Sequence, residues 1–296
     1  MGNLLEGNDG ANRLDGAGGA DTLLGGLGAD TLRGGAGNDY YAAVEAADVI
    51  EELAGGGNDT VETGAFDLVL GANVEAGVLT GTLNLRLDGN ALDNALTGNA
   101  GANVIYGYDG ADTIFSFGGD DTLYGGSGND RMGGGDGADA VYGADGSDTL
   151  YGGTGADTMY GGAGADELYG GDGDDGLYGA NGADLLFGGL GADVFQFNDL
   201  AVVDGPAVAD RIVDFTRADG DVIDLAPIDA DGAAWNGDSA FDFIGTAAFS
   251  STKRELRYEI GTEDTTVLAD LDGDGAADLT ITLTGLHALT AGDFDL

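Results

Sequence analysis

The sequence predicts an all-β protein, a parallel β-roll with a C-terminal β-rich capping domain. Three observations carry this. A nine-residue period runs through most of the chain, an apolar residue fills the eighth place of every period from Gly89 to Gln196, and the composition changes at Phe197. Beyond Phe197 lie only ten of the 60 glycines but both prolines, Pro206 and Pro227, and the single Trp235. Self-similarity at a fixed period signals a repeat architecture, and proline is barred from the interior of a stacked sheet.

The main array, Gly89 to Gln196, divides into twelve nines without a gap. Position six is Asp112, Asp121, Asp130, Asp139, Asp148, Asp157, Asp166, Asp175, Asp184 and Asp193, with Asn94 and Asn103 in the first two nines. Position eight is apolar throughout, from Leu96 and Ile105 to Leu186 and Phe195. Glycines mark positions one, two and four: Gly125, Gly126 and Gly128; Gly134, Gly135 and Gly137; Gly143 and Gly146; Gly152, Gly153 and Gly155; Gly161, Gly162 and Gly164; Gly170, Gly171 and Gly173. Glycine tolerates positive φ, so these positions are expected to form tight turns that aim carbonyls inward. The three residues after position six read as a short strand whose middle side chain faces the core. Two nines then make one coil, and position six recurs at the same corner every eighteen residues.

A shorter array covers Gly7 to Ala42, with Asn12, Asp21, Asp30 and Asp39 at position six. The glycines lapse from Ala43 to Glu51, and one more unit, Ala54 to Glu62, carries Asp59. Thr63 to Asp88 lacks the glycine turns but keeps apolar alternation at Phe66, Leu68, Leu70, Leu83, Leu85 and Leu87. Alternation predicts strands rather than a linker. The expected organisation is a first array over 1–62, metal-poor coils of the same roll over 63–97, the main array over 98–196 and the cap over 197–296.

The chain carries 54 acidic and 9 basic side chains, a formal charge of −45. That balance excludes nucleic acid as a partner, since nothing could neutralise phosphates, and it excludes a polybasic membrane anchor. No apolar run approaches the roughly 20 residues of a membrane helix. With no cysteine there is no disulfide or thiolate site. Met1 to Gly10 lacks a basic start followed by an apolar run, so no Sec-type signal is expected. A carboxylate ladder at a coil spacing of about 4.8 Å would repel strongly unless cations were built in. Calcium, a hard cation taking six to eight oxygens, suits an Asp carboxylate and backbone carbonyls.

The pattern G-G-x-G-x-D-x-U-x resembles the hemolysin-type (RTX) calcium-binding repeat. The resemblance implies several Ca2+ ions held at Asp21, Asp30, Asp39, Asp59 and the position-six aspartates from Asp112 to Asp193, with the turn glycines beside them. The asparagines supply a neutral oxygen, so weaker or empty sites are expected there. Asp210 to Phe215, Gly220 to Leu225, Phe243 to Ser250, Leu256 to Tyr258 and Leu289 to Leu296 resemble the C-terminal domain of serralysin-type secreted proteases. This implies a cap on the roll, an uncleaved signal read by a type I secretion apparatus, and a secreted or cell-surface protein.

Catalytic residues are not expected. The zinc motif of serralysins needs HExxH, and the only histidine is His287. Asp270-Leu271-Asp272-Gly273-Asp274-Gly275 matches the start of an EF-hand loop, but Ile281 stands where a bidentate Glu is required. A hairpin turn is the favoured reading and an auxiliary calcium site the alternative. Two functions fit: a self-standing calcium-binding structural, surface or matrix protein, or the non-catalytic module of a larger secreted enzyme such as a serralysin-type protease or an alginate epimerase. Finally, position nine is aromatic at Tyr106, Phe115, Tyr124, Tyr142, Tyr151, Tyr160, Tyr169, Tyr178 and Phe187. These rings are expected to stack on the outer faces as two ladders, stiffening the roll or offering a surface for self-association or polysaccharide contact.

Overall fold

The computed structural model describes residues 1–42, 44–197, 209–228, 240–250 and 252–296. Pro206 and Trp235 lie outside the described residues. Two compact units are formed, Met1–Val141 and Tyr142–Leu296. Among the described residues there is no α-helix, and no helix is long and apolar enough to cross a membrane. The fold is a parallel β-roll.

In the first unit one face is a run of parallel strands: Leu4–Glu6, Thr22–Leu24, Tyr40–Tyr41, Thr60–Thr63, Ala76–Leu79, Ala95–Thr97, Thr113–Gly118 and Arg131–Asp136. Where the repeat is regular the register is eighteen residues, as in Leu96↔Ile114 and Ile114↔Met132. The opposite face begins with Arg13–Asp15, Thr31–Arg33 and Val49–Ile50. It resumes with Leu68–Val69, Arg86–Asp88, Val104–Asp109 and Thr122–Ser127. The glycine-poor stretch after Thr63 therefore pairs with the repeats on both sides on the first face, through Ala76–Leu79, whereas on the opposite face Leu68–Val69 pairs with Arg86–Asp88 and not with Val49–Ile50. Its one irregular core slot is Gly77, which pairs with Val61 and Leu96, and the side chains of Leu87, Leu70 and Leu68 close over it.

The second unit repeats the pattern: Thr149–Thr154, Glu167–Asp172 and Leu185–Leu190 on one face, Thr158–Ala163, Gly176–Asn181 and Val194–Gln196 on the other. The parallel pairing does not end at Phe197, where the composition change predicts a new unit. Asp210–Ile212 pairs with Leu185–Leu190, and Val222–Asp224 pairs with Val194–Gln196. The reason is local. Asp210-Arg211-Ile212 and Asp221-Val222-Ile223 preserve the relation between positions six and eight although the glycines are gone, and both isoleucines are fully buried. Beyond this extra coil the sheet changes character. Leu279–Thr284 pairs parallel to Asp210–Ile212, then antiparallel to Asp264–Asp270, which pairs antiparallel to Glu255–Ile260. The Asp270–Gly275 segment is the turn of that hairpin. The closing strand Phe294–Asp295 lies parallel to Val222–Asp224.

The core is the column of position-eight side chains. Leu23, Leu32, Tyr41, Leu96, Ile105, Ile114, Leu123, Met132 and Val141 in the first unit are inaccessible to within 1%. So are Leu150, Met159, Leu168, Leu177, Leu186 and Phe195 in the second. Each buried Leu or Met contributes about 1.5–3 kcal/mol relative to exposure. Position nine, one residue on, is half-buried because neighbouring rings cover one another. Tyr106 stacks on Tyr124 at 4.7 Å, Tyr142 on Tyr160 at 4.9 Å, Tyr160 on Tyr178 at 4.4 Å, Tyr151 on Tyr169 at 5.0 Å and Tyr169 on Phe187 at 4.5 Å. Where Gly133 interrupts the ladder, the Arg131 guanidinium lies 5.9 Å from the Phe115 ring instead.

Candidate metal centre

Each position-six side chain is fixed by the backbone one coil earlier. The N–H of Asp112 donates to Oδ1 of Asp130 at 2.8 Å, that of Asp121 to Asp139 at 2.8 Å, that of Asp157 to Asp175 at 2.8 Å and that of Asp166 to Asp184 at 2.9 Å. In the first array the N–H of Asp21 reaches Asp39 at 2.7 Å and that of Asp39 reaches Asp59 at 2.8 Å. The ladder follows from the fold: strands eighteen residues apart in register bring the residue before each strand beside its counterpart. All fourteen expected aspartates, Asp21, Asp30, Asp39, Asp59, Asp112, Asp121, Asp130, Asp139, Asp148, Asp157, Asp166, Asp175, Asp184 and Asp193, are at most 2% exposed.

At eight of these aspartates the second carboxylate oxygen has no such partner. Oδ2 of Asp21, Asp30, Asp39, Asp59, Asp112, Asp166, Asp175 and Asp193 is buried without a hydrogen bond. Buried polar atoms in folded proteins are satisfied almost without exception, and a buried unpaired carboxylate is far more costly than a neutral group. Burial pushes the carboxyls of Asp112, Asp166 and Asp175 up to about 7, and those of Asp59 and Asp193 up to about 6. Neighbouring carboxylates along the ladder add to the rise, while the backbone N–H bonds oppose it.

Where position one is glycine, these oxygens face a space that the missing Cβ leaves open. A Cβ at Gly107 would collide with Oδ2 of Asp112 and with the carbonyl oxygen of Gly125 in the next coil. Gly143, Gly152, Gly161 and Gly170 stand in the same relation to Asp148, Asp157, Asp166 and Asp175. The expectation of positive φ at all three glycine positions is corrected here. Gly126 and Gly128 have φ of 116° and 132°, as do their counterparts at positions two and four, but the position-one glycines do not. Position one is glycine for space. A carboxylate oxygen beside backbone carbonyls is the oxygen donor set that calcium takes, so the residues fit the ion.

The asparagines close the same corner differently. The Asn94 amide nitrogen donates to the carbonyls of Val74 and Glu75, each at 3.3 Å, while its Oδ1 accepts the N–H of Asn90. Asn103 bonds Asn99 through both ends of its amide. The Asn94 amide nitrogen thus bonds back to the preceding coil, and a neutral Oδ1 faces the cradle of Gly89 or Gly98 where an aspartate turns its anionic Oδ2.

Four acidic residues outside the regular pattern join the ladder. The N–H of Asp30 donates to Oδ1 of Asp48 at 3.0 Å and that of Asp59 to Oε2 of Glu75 at 2.8 Å. Asp184 donates to Asp210 at 3.0 Å and Asp193 to Asp221 at 3.2 Å, across 26 and 28 residues rather than eighteen. Three of the four carry a signal: Asp48, Asp210 and Asp221 are each followed two places on by isoleucine. Asp210 is pushed up to about 7 by burial and by the Asp184 carboxylate. At the hairpin turn, by contrast, Asp270 is satisfied: its oxygens accept the N–H groups of Gly273 at 2.6 Å and Gly275 at 2.9 Å.

A family model for the RTX calcium-binding nonapeptide repeat (4 copies) matches residues 5–41, 88–116, 118–141, 142–177 and 167–195. No curated protein matches the chain. Among solved structures, the solution structure of the AlgE6R3 subunit from the Azotobacter vinelandii mannuronan C5-epimerase is 23% identical, covering 63% of this chain and 80% of that one with a TM-score of 0.27. The chain is a β-roll carrying arrays of the RTX calcium-binding nonapeptide repeat.

Proposed function

We propose that the protein is a secreted, non-catalytic structural protein whose roll folds when calcium occupies the aspartate corners outside the cell. The observation that carries this reading is the file of buried carboxylates, with Oδ2 of Asp21, Asp30, Asp39, Asp59, Asp112, Asp166, Asp175 and Asp193 lacking a partner. Asp21, Asp30, Asp39, Asp59 and Asp112 through Asp193 would hold the ions, with carbonyls of the glycine turns completing the oxygen shell. Calcium supplies the positive charge that lets the carboxylates stay buried. The chain's own part is to orient: the backbone N–H one coil earlier holds Oδ1, and the position-one glycine keeps the space beside Oδ2 open. The corners at Asn12, Asn94 and Asn103 would bind weakly or not at all.

Extracellular calcium modules bind at about 10⁻⁴–10⁻³ M, well above cytosolic calcium. The roll would remain unfolded in the producing cell, pass a type I channel and fold on emergence. The segments resembling the serralysin C-terminal domain support export through the tail. The stacked position-nine rings support a stiffening role, worth about 0.5–1 kcal/mol per cross-strand pair. His287 is held structurally: its Nε2 lies 2.9 Å from the Thr284 carbonyl, and its ring meets Phe215 edge-on at 5.8 Å.

Two measurements test this. Calcium counted by equilibrium dialysis should show several ions per chain, and a chain that binds none refutes the metal reading. Deleting 197–296 should abolish export by a type I system, whereas trimming 1–6 should not. Normal export of the tail-less chain overturns the secretion assignment.

A further inference from the structure

The first array contains one departure from the period that the ladder does not explain. The nine after Ala42 keeps its phase, with Asp48 at position six and Ile50 at position eight, but two residues, Glu52 and Leu53, then precede the next unit. The step from Asp39 to Asp59 is consequently 20 residues, yet the N–H of Asp39 still donates to Oδ1 of Asp59. The inserted pair is absorbed without breaking the ladder.

Its effect falls on the cradle of Gly34. At Gly107, Gly143, Gly152, Gly161 and Gly170, the space beside position one is bounded by the aspartate Oδ2 and by the position-one carbonyl of the next coil. At Gly34 it is bounded by Oδ2 of Asp39 and by Oε1 of Glu52. A side-chain carboxylate stands where the repeat elsewhere offers a neutral carbonyl. Carboxylate oxygens of Asp39, Glu52 and Asp59 lie within 4.8 Å of one another. Both aspartates are at most 2% exposed, and Oδ2 of each lacks a hydrogen bond. Glu52 is itself positioned: Tyr41, fully buried, donates its hydroxyl to Oε1 and receives the N–H of Gly34 at 2.6 Å, while the N–H of Leu53 donates to Oε2 at 3.0 Å.

We propose that Glu52 is a metal ligand that, with Asp39 and Asp59, makes a three-carboxylate calcium site distinct from the repeat sites. The proposal rests on the reading that the aspartate corners hold calcium. Replacing a neutral ligand with an anionic one raises affinity for a divalent cation, since ligand charge count is a main determinant of calcium affinity. The site would fill first, at calcium concentrations where the regular corners remain empty, and so nucleate the first unit.

The test is calorimetric titration of the full chain with calcium, wild type against Glu52→Gln and Tyr41→Phe. The wild type should show one ion at least about tenfold tighter than the rest. Glu52→Gln, which keeps an acceptor for Tyr41, should lose that tight class, leave the number of weaker ions unchanged and shift the onset of the calcium-induced β signal to higher calcium. Tyr41→Phe, which removes one bond that orients Glu52 but leaves its charge, should weaken the tight class without abolishing it. A tight class that survives Glu52→Gln, or its absence from a wild type that binds the other ions, overturns the proposal and leaves the repeat sites standing. No binding at all would instead refute the underlying calcium reading.

Discussion

A carboxylate buried at neutral pH must take a proton or meet a cation, and the two are exchangeable at these corners. In the metal-free fold Asp112, Asp166 and Asp175 titrate near about 7 and Asp59 and Asp193 near about 6, against 3.8 for a free Asp side chain. The folded state therefore binds more protons than the unfolded chain between roughly pH 7 and 4, and its stability rises as pH falls through that window. In chelator, the β signal in circular dichroism should be stronger at pH 5 than at pH 7.5, while calcium affinity should fall over the same range. A metal-free chain that loses β signal on acidification would contradict this. Asp112→Asn probes the same balance in one side chain. By the example of Asn94, whose neutral Oδ1 faces the cradle of Gly89, the amide should relieve repulsion in chelator and weaken the adjacent calcium site by about tenfold, read by calorimetry.

The turns show which parts of each element the sequence makes legible. The position-six and position-eight residues stand out because each has one environment, the corner and the core, at every recurrence. The continuation through Asp210 and Asp221 is hidden because its spacings are eight and ten residues longer than a coil, and only the short Asp-x-Ile signature persists. The role of position one is also hidden, since a glycine required for space reads the same as one required for φ. Position two separates the two needs. Ala144 and Ala180 occupy it with φ of 83° and 69°, a left-handed conformation costing a non-glycine residue about 1–2 kcal/mol. Ala144→Gly and Ala180→Gly should each stabilise the calcium-loaded roll by up to about 1 kcal/mol, part of the relief being lost to glycine's greater unfolded-state freedom. Thermal melts in saturating calcium measure it, and an unchanged or lower midpoint would show that the turn is not strained. In the cap, Arg217 donates to both carboxylate oxygens of Asp293, which is 2% exposed and also receives the N–H of Thr290. Burial raises the Asp293 carboxyl, and Arg217 and Thr290 more than offset it, so that it lies below the usual carboxylate range. Arg217→Ala leaves a buried unpaired anion and should cost about 1–3 kcal/mol, discounted for the half-exposed arginine, seen as a lowered melting midpoint with the calcium count unchanged.

At the scale of the chain, a formal charge of −45 and 60 glycines oppose a compact state through self-repulsion and backbone entropy. Against them stand a narrow apolar column, stacked rings and a ladder of hydrogen bonds that brings anions together. Solenoid stability is a sum of repeat and nearest-neighbour terms, so every aspartate corner carries the same conflict, and cations held there would relieve it coil by coil. Folding should accordingly follow calcium. The direct measurement is far-ultraviolet circular dichroism of the full chain at pH 7.5, first in chelator and then across a calcium titration into the millimolar range. A largely disordered spectrum in chelator that converts cooperatively to a β spectrum at about 10⁻⁴–10⁻³ M calcium is the predicted result; a β spectrum already complete in chelator and unmoved by calcium would contradict it.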